Sequence, residues 1–148
     1  MVLALLLLAA PAEAKDLRGR AGVGFTHTFG QPTSIGLRYT FGAKQPTATV
    51  QLGLDAGFDL GGDTDAWYGG ARLRWGFVAE DNMILHAGVA AGWAGGVDAA
   101  RVQPTIGAQV FLFGVENLGI EVDFGANVDI GAPVTVQTVA SVGATYWF

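Results

Sequence analysis

Apolar and polar residues alternate one by one through long stretches of the chain. From Leu118 to Ile130, every second residue is apolar. The residues between them are Gly119, Glu121, Asp123, Gly125, Asn127 and Asp129. A helix would spread these charges around its circumference, whereas successive side chains of a strand point to opposite faces of a sheet. The pattern therefore predicts β-strands with one apolar face and one polar face.

The same period of two marks eight segments, which are separated by short stretches rich in Gly, Pro, Asn and Asp. The predicted strands are Leu17–Phe29, Ser34–Ala43, Ala48–Leu60, Ala66–Val78, Met83–Ala94, Arg101–Phe113, Leu118–Ile130 and Val134–Phe148. Such short links favour sequential antiparallel neighbours, hence an up-and-down meander. Pro104 lies within the sixth segment and cannot donate a ladder hydrogen bond, so we expect it near the rim of the sheet, beside a bulge.

An eight-stranded meander could be a soluble barrel with an apolar interior, as in lipocalins, or a membrane barrel with an apolar exterior. The chain has 23 glycines and only 14% charged residues, and many of the glycines fall on the polar face. A solvated face gains nothing from missing side chains, whereas the narrow interior of an eight-stranded barrel needs small residues beside large ones. Strands of about 11 to 13 residues also span the apolar band of an outer-membrane barrel, about 25 Å tall. We predict an all-β fold, an eight-stranded antiparallel up-and-down transmembrane β-barrel with short loops.

The first residues have the composition of an export signal. Val2–Ala10 is an apolar run, Pro11 follows it, and Ala12-Glu13-Ala14 supplies small residues before a cleavage site. The run is too short for a membrane-spanning helix, which needs about 20 apolar residues. We predict a signal peptide over residues 1–14 and the barrel over residues 15–148. No Lys or Arg precedes the run, and the alternative is a helix packed in a core.

Aromatic residues cluster near the ends of the predicted strands. If the first strand starts in the periplasm, one group lies at the outer ends: Phe29, Phe58, Trp67 and Trp93. A second group lies at the inner ends: Phe41, Trp75, Phe77, Tyr146 and Phe148. Two belts of aromatic rings are typical of the two membrane interfaces. The alternative is the general enrichment of aromatic residues in strands.

Nearly every charged residue of the predicted strands falls on the polar face. The cations are Arg18, Arg20, Arg38, Arg72, Arg74 and Arg101, and the anions are Asp55, Asp59, Glu121, Asp123 and Asp129. Because an unpaired buried charge is costly, this near-balance predicts a network of ion pairs inside the barrel. Arginine suits such a network, since its planar fork binds carboxylates bidentately. We expect the network to fill the lumen; the alternative is a water-filled ion path.

The sequence gives little support to other chemistry. A net charge of −5 provides no basic surface for nucleic acid, and without Cys there is no disulfide or thiolate metal site. His27 and His86 lie outside any catalytic or metal-binding spacing, and the spacing of Glu121 and Asp123 merely places both on one face. We therefore expect no enzymatic activity, no cofactor and no metal.

The last strand ends in Tyr146-Trp147-Phe148, with aromatic residues at alternate positions. This resembles the terminal strand signature of bacterial outer-membrane proteins, which implies that the barrel-assembly machinery recognises Tyr146 and Phe148. With its eight segments, the chain looks like the small-barrel class that includes the membrane domain of OmpA, OmpX and OmpW. The resemblance implies an integral protein of the bacterial outer membrane, in contact with its lipids. The predicted outer loops are shorter than those of barrels that bind hosts or ligands.

These features favour a structural role, or a role as a subunit of a larger assembly with other envelope proteins. The motivation is the balanced charge of the interior together with the short loops. The alternative is a narrow channel or carrier for small or apolar solutes across the outer membrane.

Overall fold

The strands of this chain close into a single barrel. The computed structural model describes residues 17–29, 31–42, 49–59, 66–80, 82–112, 114–131 and 133–148, without the side chains of Gly42 and Asp59. The strands are β1 (Ala21–Thr28), β2 (Ser34–Gly42), β3 (Thr49–Asp59), β4 (Ala66–Glu80), β5 (Met83–Ala94), β6 (Ala99–Leu112), β7 (Val115–Ile130) and β8 (Thr135–Trp147). Each strand pairs antiparallel with the next, and β8 pairs antiparallel with β1. The predicted fold class is confirmed; the predicted signal peptide lies outside the described residues.

The barrel has two ends that differ in what they carry. We call the end where β1 begins at Ala21 and β8 finishes at Trp147 the proximal end. The distal end is the opposite one, where β1 finishes at Thr28 and β8 begins at Thr135.

The largest difference from the predicted strands lies before β1. Leu17–Arg20 form a turn, in which the N–H of Arg20 donates to the carbonyl of Leu17 at 3.1 Å, and Gly19 has a φ of 70°. Arg18 is exposed on this turn. Arg20 instead donates to Oδ1 of Asn117 at the proximal end, at 3.0 Å. The prediction that Arg18 faces the lumen from the first strand is therefore wrong, because the chain turns before the strand begins. Arg20 is half-buried, and its carbonyl accepts a hydrogen bond from the N–H of Thr40 at 3.0 Å.

Pro104 lies within β6 and not near the rim. The register with β7 is the same on both sides of it, since Val102 pairs with Val128 and Thr105 pairs with Gly125. Only the pairing with β7 at Pro104 and the residue before it is missing, because proline has no N–H to donate. The prediction of a rim position with a bulge is wrong: the ladder tolerates the gap without changing register.

The two faces of the wall separate apolar from polar side chains. Ile35, Leu37 and Leu54 point outward and are 67%, 63% and 62% exposed. Most buried side chains of the interior are polar or charged, among them Thr40 and Gln51. This is the arrangement expected of a barrel that is apolar outside. Along the described part of the chain, no helix has the length and apolarity to cross a membrane.

The barrel interior as the candidate functional site

Glu121 of β7 connects opposite walls of the barrel. Its carboxylate accepts hydrogen bonds from Arg38 of β2 and from Arg74 of β4, and all three side chains are almost fully buried. Arg38 also donates to the hydroxyl oxygens of Thr145, at 2.7 Å, and Thr26, at 2.9 Å. In the strand order of the closed sheet, β2 and β4 each lie three strands away from β7. These ion pairs therefore cross the lumen.

Asp123, two residues further along β7, extends these contacts. It lies 2.6 Å from Nη2 of Arg74 and 3.6 Å from Nη1 of Arg72, and it accepts a hydrogen bond of 2.7 Å from Nε2 of His86. Arg72 in turn donates from Nε to Asp55 of β3, at 3.0 Å. We call this set the interior charge cluster: Arg38, Asp55, Arg72, Arg74, His86, Glu121 and Asp123. Its three guanidinium groups face three carboxylates, so most of the buried charge is compensated within the cluster.

The remaining predicted interior charges lie apart from this cluster. Arg101 and Asp129 form a bidentate pair near the distal end, at 2.6 Å and 2.9 Å. They face each other on the adjacent strands β6 and β7, so this pair runs along the wall and does not cross the lumen. Asp59 ends β3, and its side chain is outside the described part of the structure. His86, Thr26 and Thr145 also contribute contacts, and none of the three was among the charged residues predicted to form the network.

Glycines on neighbouring strands make room for the buried carboxylates. The facing pairs are Gly36 with Asp55, Gly107 with Asp123, and Gly143 with Glu121. A Cβ atom added at any of these glycines would overlap the carboxylate of its partner. At these three positions glycine thus has a steric cause, because a second side chain does not fit beside the charged one.

We expect Gly36→Ala to destabilise the barrel by about 1 to 3 kcal/mol, the usual range for overpacking a well-filled interior. The new methyl group would displace the carboxylate of Asp55 from Arg72. Gly53→Ala, on the next strand, is the matched control. At Gly53 the nearest atom to an added Cβ is a backbone oxygen at 3.4 Å, an ordinary contact. Urea unfolding of both variants in lipid vesicles measures the difference. Equal losses would contradict the steric explanation.

An apolar layer lies inside the barrel at the proximal end. Leu17, Ile84, Phe111 and Trp147 pack together, with exposures between 0% and 1%. Leu17 comes from the turn before β1, and the other three point inward from β5, β6 and β8. This layer was not predicted from the sequence. One feature of the sequence could have indicated it: Ile84 and Trp147 are large apolar residues at positions that alternate with the apolar outer face of their own strands, and so belong to the inner face.

The aromatic residues predicted to form belts lie mostly on the outside of the wall. Phe29, Phe58, Trp67 and Trp93 are exposed towards the distal end, and Phe41, Trp75, Tyr146 and Phe148 are exposed towards the proximal end. Phe77 is only half-buried and packs against Trp75, with ring centroids 5.9 Å apart.

In the portion of the chain that is described, no group of three or more His, Asp or Glu residues is arranged to hold a metal ion.

Together, the closed antiparallel barrel, the apolar exterior and the polar interior define the fold of the small outer-membrane barrels. The chain is similar in structure to the outer membrane protein Ail of Yersinia pestis in a phospholipid bilayer nanodisc, with a TM-score of 0.54 and 13% identity over 88% of this chain and 100% of that one. It is also similar to Neisserial surface protein A (NspA), with a TM-score of 0.44 and 13% identity over 87% of this chain and 95% of that one. No protein-family model and no curated protein sequence matches it. The likeness to Ail confirms the predicted resemblance at the level of the fold.

Proposed function

We propose that this protein is an integral barrel of a bacterial outer membrane with a structural role, and that its lumen does not conduct. The exterior supports the membrane location, since large apolar side chains cover the outer face of every strand. The fold of Ail, an outer-membrane protein, supports it too. Export by the N-terminal segment and recognition of Tyr146 and Phe148 by the assembly machinery belong to the same proposal.

The proposal rests mainly on one observation. Glu121 forms an ion pair with Arg38 and another with Arg74, and these two ion pairs join opposite walls of the barrel. An ion passing along the axis would have to separate these buried charges, and the full cost of leaving a buried charge unpaired is several kcal/mol. The apolar layer around Phe111 and Trp147 then presents a second obstacle at the proximal end. Two successive obstacles of opposite chemistry favour a filled interior over a water-filled path.

We expect the purified wild-type barrel to give no reproducible single-channel steps in a planar lipid bilayer, because the interior charge cluster and the apolar layer fill its cross-section. Gel mobility with and without boiling serves as the control that the protein is folded, since folded membrane barrels migrate differently before heating. The recording is repeated over a range of voltages and protein concentrations to exclude a failure of insertion.

Stable steps from the wild type would instead support a narrow channel, with Arg38, Arg72, Arg74, Asp55, Glu121 and Asp123 lining it. In that case the double variant Arg72→Ser and Arg74→Ser should change the ion selectivity, because two cations of the pore wall would be lost. Steps whose selectivity is unchanged would point to a leak around the protein, and not to a path through it.

A further inference from the structure

β8 extends well beyond β1 at the distal end of the barrel. The last residue pair between the two strands is Thr28 with Ser141, and the N–H of Phe29 adds one bond to the carbonyl of Ala140, at 3.1 Å. β8 begins six residues before Ser141, at Thr135, and this first part is paired with β7 on its other side. Among the described residues, none pairs with Thr135–Thr138 on the side of β1. Within the described ranges the rim therefore has a notch above β1, and one wall of the notch is a strand edge that these residues leave unpaired.

The register shows which backbone groups point into this notch. In an antiparallel ladder, the N–H and the C=O of one residue point to the same neighbouring strand. Ala140 and Phe148 direct theirs to β1. Val136 and Thr138 have the same parity, so their backbone groups point into the notch, whereas those of Gln137 point to β7.

The edge also lacks the usual protection of an exposed strand. Residues 134–139 read Val-Thr-Val-Gln-Thr-Val, so five of these six residues are β-branched, and none is charged or a proline. Both faces of Thr135–Thr138 are exposed, and Val136 is 67% exposed. Natural proteins generally protect such edges with lysine, proline, a bulge or a covering segment. An unprotected edge of high β-propensity is a template for strand addition.

We propose that the β8 edge, residues Thr135–Thr138, is a docking site for an extended segment of a partner polypeptide, which adds to the barrel antiparallel to β8. The edge presents two successive pairs of backbone N–H and C=O groups at the spacing of a strand. Another extended backbone carries acceptors and donors at the same spacing and can form hydrogen bonds with both pairs. The inserted strand would place small polar side chains beside Thr135 and Gln137, and apolar ones on the outer side beside Val136. Its side chains would be uncharged, because Asp129, which lies opposite Thr135, is already paired with Arg101.

A second copy of this chain does not fit as the partner. Two barrels with the same orientation in one membrane each tilt β8 by roughly 35 to 45° from the barrel axis. For the two β8 edges to face each other, one barrel must be rotated by half a turn about the membrane normal. This rotation reverses the direction in which its β8 is tilted, so the two edges would cross instead of running side by side. This step rests on the proposed function, since it requires both barrels to share a membrane.

The test uses the whole barrel in lipid nanodiscs and a short fluorescein-labelled peptide of alternating Val and Thr with a Lys at each end. Fluorescence anisotropy should show binding to the wild type. The double variant Val136→Pro and Thr138→Pro should bind at least about tenfold more weakly, because two backbone donors are lost. These prolines remove no hydrogen bond to β7, since both N–H groups face the notch. The control variant Val136→Thr and Thr138→Val should bind like the wild type, because it keeps the backbone and exchanges only side chains.

Two further measurements keep the result unambiguous. The same peptide with N-methyl groups on alternate residues should not bind, and hydrogen exchange at the amides of Val136 and Thr138 should slow only when the unmodified peptide is present. Heat-dependent gel mobility checks that each variant is folded. The proposal is overturned if the wild type does not bind the peptide, if the proline variant binds as tightly, or if both amides are protected without peptide. A doubled particle mass would identify a second copy as the occupant and would also overturn it. The conductance test of the proposed function is separate, because these variants leave the interior charge cluster intact.

Discussion

Glu121→Ala should lower the free energy of unfolding of the barrel by about 3 to 5 kcal/mol, the loss typical of a buried ion pair from which one partner is removed. The variant leaves Arg38 and Arg74 buried without the carboxylate that they share. Water cannot easily replace it, since all three side chains are almost completely enclosed. Urea unfolding in lipid vesicles, followed by tryptophan fluorescence, measures the change.

Two matched variants separate the effect of the buried charge from other causes. Glu121→Gln keeps the shape of the side chain and one acceptor oxygen, so we expect a smaller loss than with alanine. Glu80→Ala removes an exposed carboxylate at the end of β4 and should change the stability by less than about 0.5 kcal/mol. If Glu121→Ala cost no more than Glu80→Ala, the ion pairs across the lumen would contribute nothing to the fold.

The second large effect is expected on the outer wall. Leu54→Arg should destabilise the barrel in lipid by about 2 to 4 kcal/mol, the cost of an arginine near the middle of the bilayer. Leu54 is 62% exposed and lies in the middle of β3, remote from both rims. The exposed fraction alone would make this substitution harmless in a water-soluble protein, so the result reports on what covers the outer face.

Val97→Arg is the matched control for the outer wall. Val97 is 57% exposed, about as much as Leu54, but it lies in the turn between β5 and β6. We expect this variant to keep the stability of the wild type within about 0.5 kcal/mol. Equal stabilities for Leu54→Arg and Val97→Arg would mean that the apolar wall faces water, and the proposed membrane location would fail.

Much of the barrel could be predicted because a strand repeats every two residues. The alternation of Leu118–Ile130 identifies both a strand and its two faces, and β7 begins only a few residues earlier, at Val115. The glycines indicated which face is inside, since a narrow interior needs them. Six of the charged residues named from the sequence meet in the interior charge cluster for the same reason: they share the inner face of their strands.

The sequence could not show which charges meet across the lumen. Contacts between β7 and β2 or β4 depend on the stagger of all the strands between them, and the period of one strand carries no information on stagger. The turn at Leu17–Arg20 was missed because Leu17 continues the apolar alternation, although its side chain packs against Trp147 inside the barrel. The apolar layer was not predicted for a related reason. Each of its strands contributes one apolar residue to an otherwise polar inner face, and a single residue on one strand does not form a recognisable pattern.

The glycines that face buried carboxylates have a consequence for how such a barrel can evolve. Enlarging residue 36 is compatible with the fold only if residue 55 becomes smaller, because the carboxylate of Asp55 is the nearest group to an added Cβ. At Gly107 and Gly143 an added Cβ would also overlap a backbone oxygen, that of Val122 and that of Phe25, which no side-chain exchange removes. Substitution at residue 36 is therefore coupled to substitution at residue 55 on the neighbouring strand, whereas residues 107 and 143 must remain glycine for the backbones of β6 and β8 to keep their present spacing to the adjacent strands.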